Sequence, residues 1–400
     1  WDMTDLQRDI YEKKYRYGGE SFDEFLDRVS GGNGPIKKAI KDKKFMPAGR
    51  ILAGRGLDKL GRKITLSNCY VLPKVEDNIE AIFDTAKYLA RTYSYGGGCG
   101  LTLSKLRPEG AKVNNAANTT TGAVSFMDLY SLVTGLLRIR GRRGALMLNL
   151  YVNHPDLVDV INVKNDLDQV TYANISVNIY DDFMEAVEND EDYELYFKVE
   201  ATGEEIRKVV KAKELFRLIA RNNWNMAEPG ILYQDRINSW HLMSEDETFE
   251  FAGVNPCAEE TLPAFGSCNL SSINLSEFVK NPFTEYALFE FEKFGEIVRS
   301  GVIYLNEVLD ENMNLHPLPQ QREMSKELRQ IGLGIMGVAD MFIKLGIRYG
   351  SPESISLIHQ IGRTMINEAL RQSALLAKEK GPFPRYRKEA VLKSPFLQSN

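Results

Sequence analysis

The 400-residue chain has few of the residues that build covalent frameworks and metal centres: four cysteines and four histidines. Cys69, Cys99, Cys257 and Cys268 form no C-x-x-C pair, and His154, His241, His316 and His359 stand alone, without H-x₃-H or H-E-x-x-H spacing. This excludes the usual zinc and iron–sulfur patterns, so no metal ligands are assigned. The histidines are expected at the surface or as caps. The start, "WDMTDLQRDIYEKKYRYGG", has no signal-peptide apolar stretch. With cysteine this scarce, the setting reads as reducing and cytoplasmic, where a thiol packs, catalyses or cycles in redox rather than forming a staple. No apolar run approaches the roughly 18–20 residues that span a bilayer, so no membrane partner is expected. A net charge of −5 leaves no polyanion-binding footprint and no nucleic-acid partner.

What is present is a globular composition, 43% hydrophobic and 26% charged, in a chain long enough for one large domain or two ordinary ones. Residues 5–30 have helical spacing, with Leu6, Ile10, Phe22, Phe25 and Leu26 in register. "ALMLNLYV" (145–152) and "ANISVNIY" (173–180) alternate as strands do. "AKELFRLIARNNW" returns to helical spacing, and 181–194 reads as a solvated helix and turn. The stretch from Ser351 is well punctuated: Ser351 as N-cap, Pro352 in the first turn, Ile358, Ile361, Met365 and Ala369 as a stripe, and Gly381-Pro382 as the stop. Strands interleaved with helices define an α/β class.

The glycine-rich "YGGGCGLTLSKLRPEGAKVNN" (95–115) is neither a P-loop nor a dinucleotide fingerprint, and "LTLSKL" alternates as a strand. Its glycines fit a tight turn or a ligand contact equally well. Arg107, Arg138, Arg140, Arg142 and Arg143 could meet phosphates or form a solvated edge. "NPCAEETLPAFGSC" (255–268) concentrates half of the cysteine. Pro256 biases Asn255 toward extended backbone, and in an extended segment Asn255, Cys257 and Glu259 share one side. A sulfur, a carboxylate base and an amide would then converge, with Glu260 pointing away. The alternative is a buried cysteine in a turn. No histidine is placed to partner a hydrolytic thiol.

"NPCAEETLPAFGSCNLSSINL" resembles the active-site segment of the ribonucleotide reductase large (catalytic) subunit. "SNCYVLPKVEDNIEAIF", "GGGCGLTLSKLRPEGAKVNNAANTTTGAVSFMDLY", "GRRGALMLNLYVNHPDL" and "YANISVNIYDDFM" agree in the same order, and the glycine and "RRGALM" wording is most similar to the adenosylcobalamin-dependent (class II) branch. The resemblance implies a ten-stranded α/β barrel of two parallel five-stranded halves around a central finger loop. A helical N-terminal region (1–60) would precede the barrel (61–400). It implies reduction of ribonucleotides, as diphosphates, to 2′-deoxyribonucleotides for DNA synthesis.

In that scheme Cys257, buried on the finger loop, is the thiyl-radical cysteine, Glu259 takes the 3′-hydroxyl proton from a partly buried site that raises its pKa, and Asn255 holds the substrate hydroxyls. Cys69 and Cys268 are the redox pair, with Cα atoms at most about 7 Å apart. Ser67, Asn68 and Gly98 contact substrate, and Asp77, Asn78, Ile79 and Arg107 bind a deoxynucleotide or ATP effector at a homodimer interface. Cys99 matches no catalytic position and reads as packing. Adenosylcobalamin is the implied cofactor; otherwise a metal-containing small subunit supplies the radical. A thioredoxin- or glutaredoxin-like protein is the implied reductant. No ATP-cone domain, downstream phosphate loop or C-terminal cysteine tail is found, so the chain reads as a piece, with the C-terminal part of the barrel missing. A glycyl-radical barrel enzyme is the rival reading, although no glycyl-radical segment is found.

Overall fold

The structure is a computed structural model that describes residues 3–139 and 142–399. Arg140 and the side chains of Arg138, Arg142 and Arg143, four of the arginines raised above as phosphate ligands, lie outside what is described. The chain divides into two compact units: residues up to Asn68 with Ser267–Tyr386, and Cys69–Gly266 with Arg387–Gln398.

In the second unit strands alternate with helices. Cys69–Val71, Gly98–Thr102, Leu146–Tyr151, Asn174–Ile179 and Gly230–Tyr233 lie side by side in that order, every neighbouring pair parallel. Helices Ile79–Ser94, Gly122–Leu136, Leu157–Asn162 and Ala212–Met226 fall between successive strands, the crossover that a parallel pair requires. The strands expected at 145–152 and 173–180 are present. Leu146–Leu150 and Ile175–Ile179 are buried at every position, because a parallel layer has both faces covered. The acidic stretch is a helix only over Asp181–Asn189; Asp192–Lys198 pairs with Glu205–Lys211 in an antiparallel hairpin.

In the first unit, residues 5–30 are not one helix: Asp5–Ile10 continues as a π-helical turn over Tyr11–Tyr15, and a separate helix follows over Phe22–Ser30. The latter starts at a capping box between Ser21 and Glu24. Phe45–Pro47 runs antiparallel to Leu270–Asn274, which pairs in parallel with Gly332–Met336. The helix over Pro352–Lys380 has Ser351 as its N-cap and Gly381 at its end, as its punctuation required. Phe45, Phe278, Phe294 and Tyr304 are fully buried in this unit's core.

The α/β class therefore stands. Among the described residues no sheet closes on itself, so the ten-stranded barrel is not formed by them. Among them, too, no helix is long and apolar enough to cross a membrane, and no group of three or more His, Cys, Asp or Glu could hold a metal ion.

Candidate active site

Gly253–Val254 and Thr261–Leu262 form a short antiparallel hairpin, with Val254 opposite Thr261, so residues 255–260 are its tip. The tip is a turn, not an extended strand. The Ala258 N–H donates to Asn255 O at 3.0 Å, and Ala258 sits at φ 63°, in the left-handed region that few side chains tolerate. The Asn255 N–H donates to Glu260 O at 3.0 Å, and the Glu260 N–H returns a bond of 3.0 Å to Asn255 Oδ1.

This corrects the expected alternation. Glu259 is exposed, and its neighbour Glu260 is the more buried acid. Burial, reinforced by the Glu259 charge, pushes the Glu260 carboxyl up to about 7. Cys257 is exposed as well, which corrects its expected burial: it stands at the hairpin tip, and no closed sheet of described residues surrounds it. Partial desolvation still raises its thiol, with the Glu259 and Cys69 charges as further causes.

The glycines explain how the hairpin reaches the sheet. A Cβ on Gly100 would lie 1.6 Å from Val254 O, and one on Gly98 would lie 2.9 Å from Pro256 Cγ. Only bare backbone lets the hairpin lie on the strand Gly98–Thr102. The run is a close-approach surface at Gly98 and Gly100, with positive-φ turns at Gly96 (φ 93°) and Gly110 (φ 80°). Asn174 Nδ2 donates to Pro256 O at 2.9 Å. Beneath the hairpin, Thr102 Oγ1 donates to Ala252 O at 2.8 Å, and Asn149 Nδ2 reaches Thr102 Oγ1 at 2.9 Å and Asn178 Oδ1 at 2.6 Å. Asn149 and Asn178 interrupt apolar strands, a signal that sequence reasoning passed over.

Asn255, itself fully buried, donates through Nδ2 to Cys69 Sγ at 3.2 Å. The hairpin and Cys69 are thereby joined at one residue. Gly98 stands directly opposite Cys69 in the sheet. In the other unit, Asn312 fixes the 66–67 segment: its Oδ1 accepts from the Leu66 N–H at 2.7 Å, and its Nδ2 donates to Ser67 Oγ at 2.9 Å. Asn68 Oδ1 is buried with no hydrogen-bond partner among the described residues. Asn312 gives no sequence signal, since it ends an ordinary helix. Cys268 is buried in the strand Ser267–Cys268 of that unit, and none of the four cysteines is in a disulfide. Cys99 lies in the hydrophobic core, fully buried.

A second constellation sits at the carboxyl ends of the first two parallel strands. Arg107 Nε donates to Asp77 Oδ2 at 2.7 Å and its backbone N–H to Oδ1 at 3.2 Å. Asn78 caps the helix Ile79–Ser94, its Oδ1 accepting from the Ala81 N–H at 2.8 Å. Asp77, Asn78 and Arg107 line a cavity of about 580 Å³ together with Lys105, Tyr196 and Lys198. Ile79 is 57% exposed on the helix beside them.

His154 departs from expectation. It is buried: its Nδ1 accepts the Asp156 N–H at 3.1 Å, which leaves Nε2–H to donate to Leu106 O at 2.8 Å. Burial keeps the ring below its usual pKa. Asp156 then accepts from the Glu109 N–H at 3.0 Å and the Ala123 N–H at 2.9 Å. The "NHPDL" segment is a scaffold joint.

The second unit is thus a parallel α/β layer carrying a cysteine-tipped hairpin tied through Asn255 to a second thiol. Residues 67–398 match the ribonucleotide reductase barrel domain, and the chain belongs to the ribonucleotide reductase family. It is 34% identical over 397 residues to a vitamin B12-dependent ribonucleoside-diphosphate reductase of Thermoplasma acidophilum, covering 96% of this chain and 50% of that protein. A protein of the same description from Mycobacterium tuberculosis is 33% identical over 349 residues, 87% of this chain and 48% of its own length. A ribonucleoside-diphosphate reductase large chain of Encephalitozoon cuniculi is 27% identical, covering 83% of this chain and 46% of its own. The chain spans about half the length of these relatives.

Proposed function

We propose that this chain carries the thiyl-radical core of an adenosylcobalamin-dependent reductase that converts ribonucleoside diphosphates to 2′-deoxyribonucleotides for DNA synthesis. The observation that carries the reading is the Cys257 hairpin seated on the Gly98 strand and bonded through Asn255 to Cys69. Cys257, as a thiyl, takes the 3′-hydrogen of the ribose and returns it at the end. Glu259 accepts the 3′-hydroxyl proton, and Asn255 orients the hydroxyls. Cys69 and Cys268 give up two electrons and two protons, become a disulfide, and the 2′-hydroxyl leaves as water. A thioredoxin- or glutaredoxin-like protein restores the pair.

Ser67, Asn68 and Gly98 flank Cys69. The buried Asn68 carbonyl, without a partner among the described residues, is an acceptor suited to a substrate hydroxyl. Radical chemistry is what adenosylcobalamin supplies when bound, and Cys257 at the hairpin tip is the residue that would receive the radical. The Asp77, Asn78, Ile79 and Arg107 site takes a deoxynucleotide or ATP effector in a cytoplasmic homodimer. The five parallel strands are one half of a ten-stranded barrel of the whole protein, which would enclose the hairpin and exclude water from the radical. Residues 1–60 form a helical region ahead of that barrel.

The test is deoxynucleotide formation from a ribonucleoside diphosphate by the full-length protein with adenosylcobalamin and a dithiol, no second subunit added. Product under these conditions is expected. Turnover only after a metal-containing small subunit is added would overturn the adenosylcobalamin reading in favour of a class I catalytic subunit.

A further inference from the structure

Asn255 divides one carboxamide between two partners, the Cys69 sulfur at 3.2 Å and the Glu260 amide at 3.0 Å. It is fully buried, so water cannot replace either bond if it breaks. The same residue closes the hairpin tip through its backbone, to Glu260 O and from the Ala258 N–H. We propose that Asn255 is a positioning residue that makes the order of the Cys257 hairpin depend on the Cys69 sulfur being a thiol. This rests on reading Cys69 as one of the two reducing cysteines.

When two thiols form a disulfide, two S–H bonds break, one S–S bond forms, and two electrons and two protons pass to the substrate. The Cys69 sulfur then has a second sulfur as its neighbour, fixed by the narrow dihedral preference of the bond. It leaves the position from which it accepted the Asn255 N–H. An unpaired buried N–H is costly, so the carboxamide turns to find another acceptor and its oxygen leaves the Glu260 amide. The tip that presents Cys257 loses the bond closing its far side. The hairpin is then fully ordered only while reducing equivalents are in place, and a radical is not positioned at Cys257 when no electrons are ready to complete the reaction.

The test is amide hydrogen exchange of the 253–262 segment, with the 174–179 strand as the fold control, read without substrate. Cys69→Ala is expected to speed exchange at Ala258 and Glu260 roughly fivefold to tenfold, the worth of one net hydrogen bond. Cys69→Ser, which keeps an acceptor, should retain most of the protection, and Cys69→Val repeats the measurement should alanine loosen the strand. Asn255→Asp keeps the acceptor for Glu260 but has no N–H to give, so adding Cys69→Ala to it should change nothing further. Unchanged protection in Cys69→Ala and Cys69→Val, equal loss in the serine variant, or additive losses in the Asn255→Asp background would overturn the proposal. Because exchange is read without turnover, a protein that makes no deoxynucleotide yet shows this pattern removes the functional reading alone.

Discussion

Two buried polar side chains organise two turns of the same unit, and they spend their bonds differently. Asp156 gives its carboxylate oxygens to backbone amides, those of Glu109 and Ala123, with Gly122 pressed so close that a Cβ there would be 2.7 Å from Asp156 Oδ2. Asn255 gives its oxygen to a backbone amide but its N–H to a sulfur. The first joint is closed upon itself. The second leaves a reactive atom in the network, and the hairpin it holds ends in an exposed cysteine. Burial and hydrogen bonding are alike in the two turns; the chemistry of the partner separates scaffold from site.

That contrast can be broken by substitution. The largest effect is expected at the tip: Cys257→Ser should abolish deoxynucleotide formation while changing unfolding free energy by less than about 0.5 kcal/mol, as for an exposed side chain. A parallel activity and denaturation measurement decides it. Glu259→Gln should lower turnover by roughly 10²–10⁴, the range for loss of a general base, with Glu260→Gln within about tenfold of wild type. Reversed values would hand the proton to Glu260.

Asp156→Ala should do the opposite of the cysteine change and cost roughly 3 kcal/mol of stability by orphaning buried amides, read from denaturant midpoints. The smallest effect is a pH dependence. Glu260 is raised to about 7 in the folded chain from an ordinary 4.5, so its contribution to stability is complete below about pH 4.5 and is lost as pH rises through 7. Relative to Glu260→Gln, the wild type should therefore lose up to about 2 kcal/mol between those limits. A flat difference would show that the acid is solvated.

Local punctuation was legible in the sequence, and long-range proximity was not. Ser351, Pro352 and Gly381 bound a helix because caps and stops act within a turn or two of chain. The 146–151 and 174–179 strands follow from their own side chains. The hairpin tip does not. Pro256 favours extended backbone, but Ala258 is held left-handed by pairing between Asn255 and Glu260 across the turn, and nothing in the identity of an alanine announces that. The glycines at 98 and 100 left turn and ligand contact open. Their role depends on Val254 and Pro256, residues far along the chain that only the fold brings near. His154 looked like a surface residue because isolation in sequence says nothing about burial. The two acids were exchanged in burial for the same reason: alternation holds only while backbone stays extended.

Cys99 lies one residue along from the partner of Cys69, opposite Tyr70 in the neighbouring strand. For the redox pair proposed above, a third thiol so near to Cys69 invites mispairing. Exchange, however, begins with a thiolate. Burial drives the Cys99 thiol far above its ordinary value, so it almost never carries the charge that would let it attack. Under that proposal the sheet keeps Cys99 out of thiol exchange by withholding deprotonation, and needs no distance to do so.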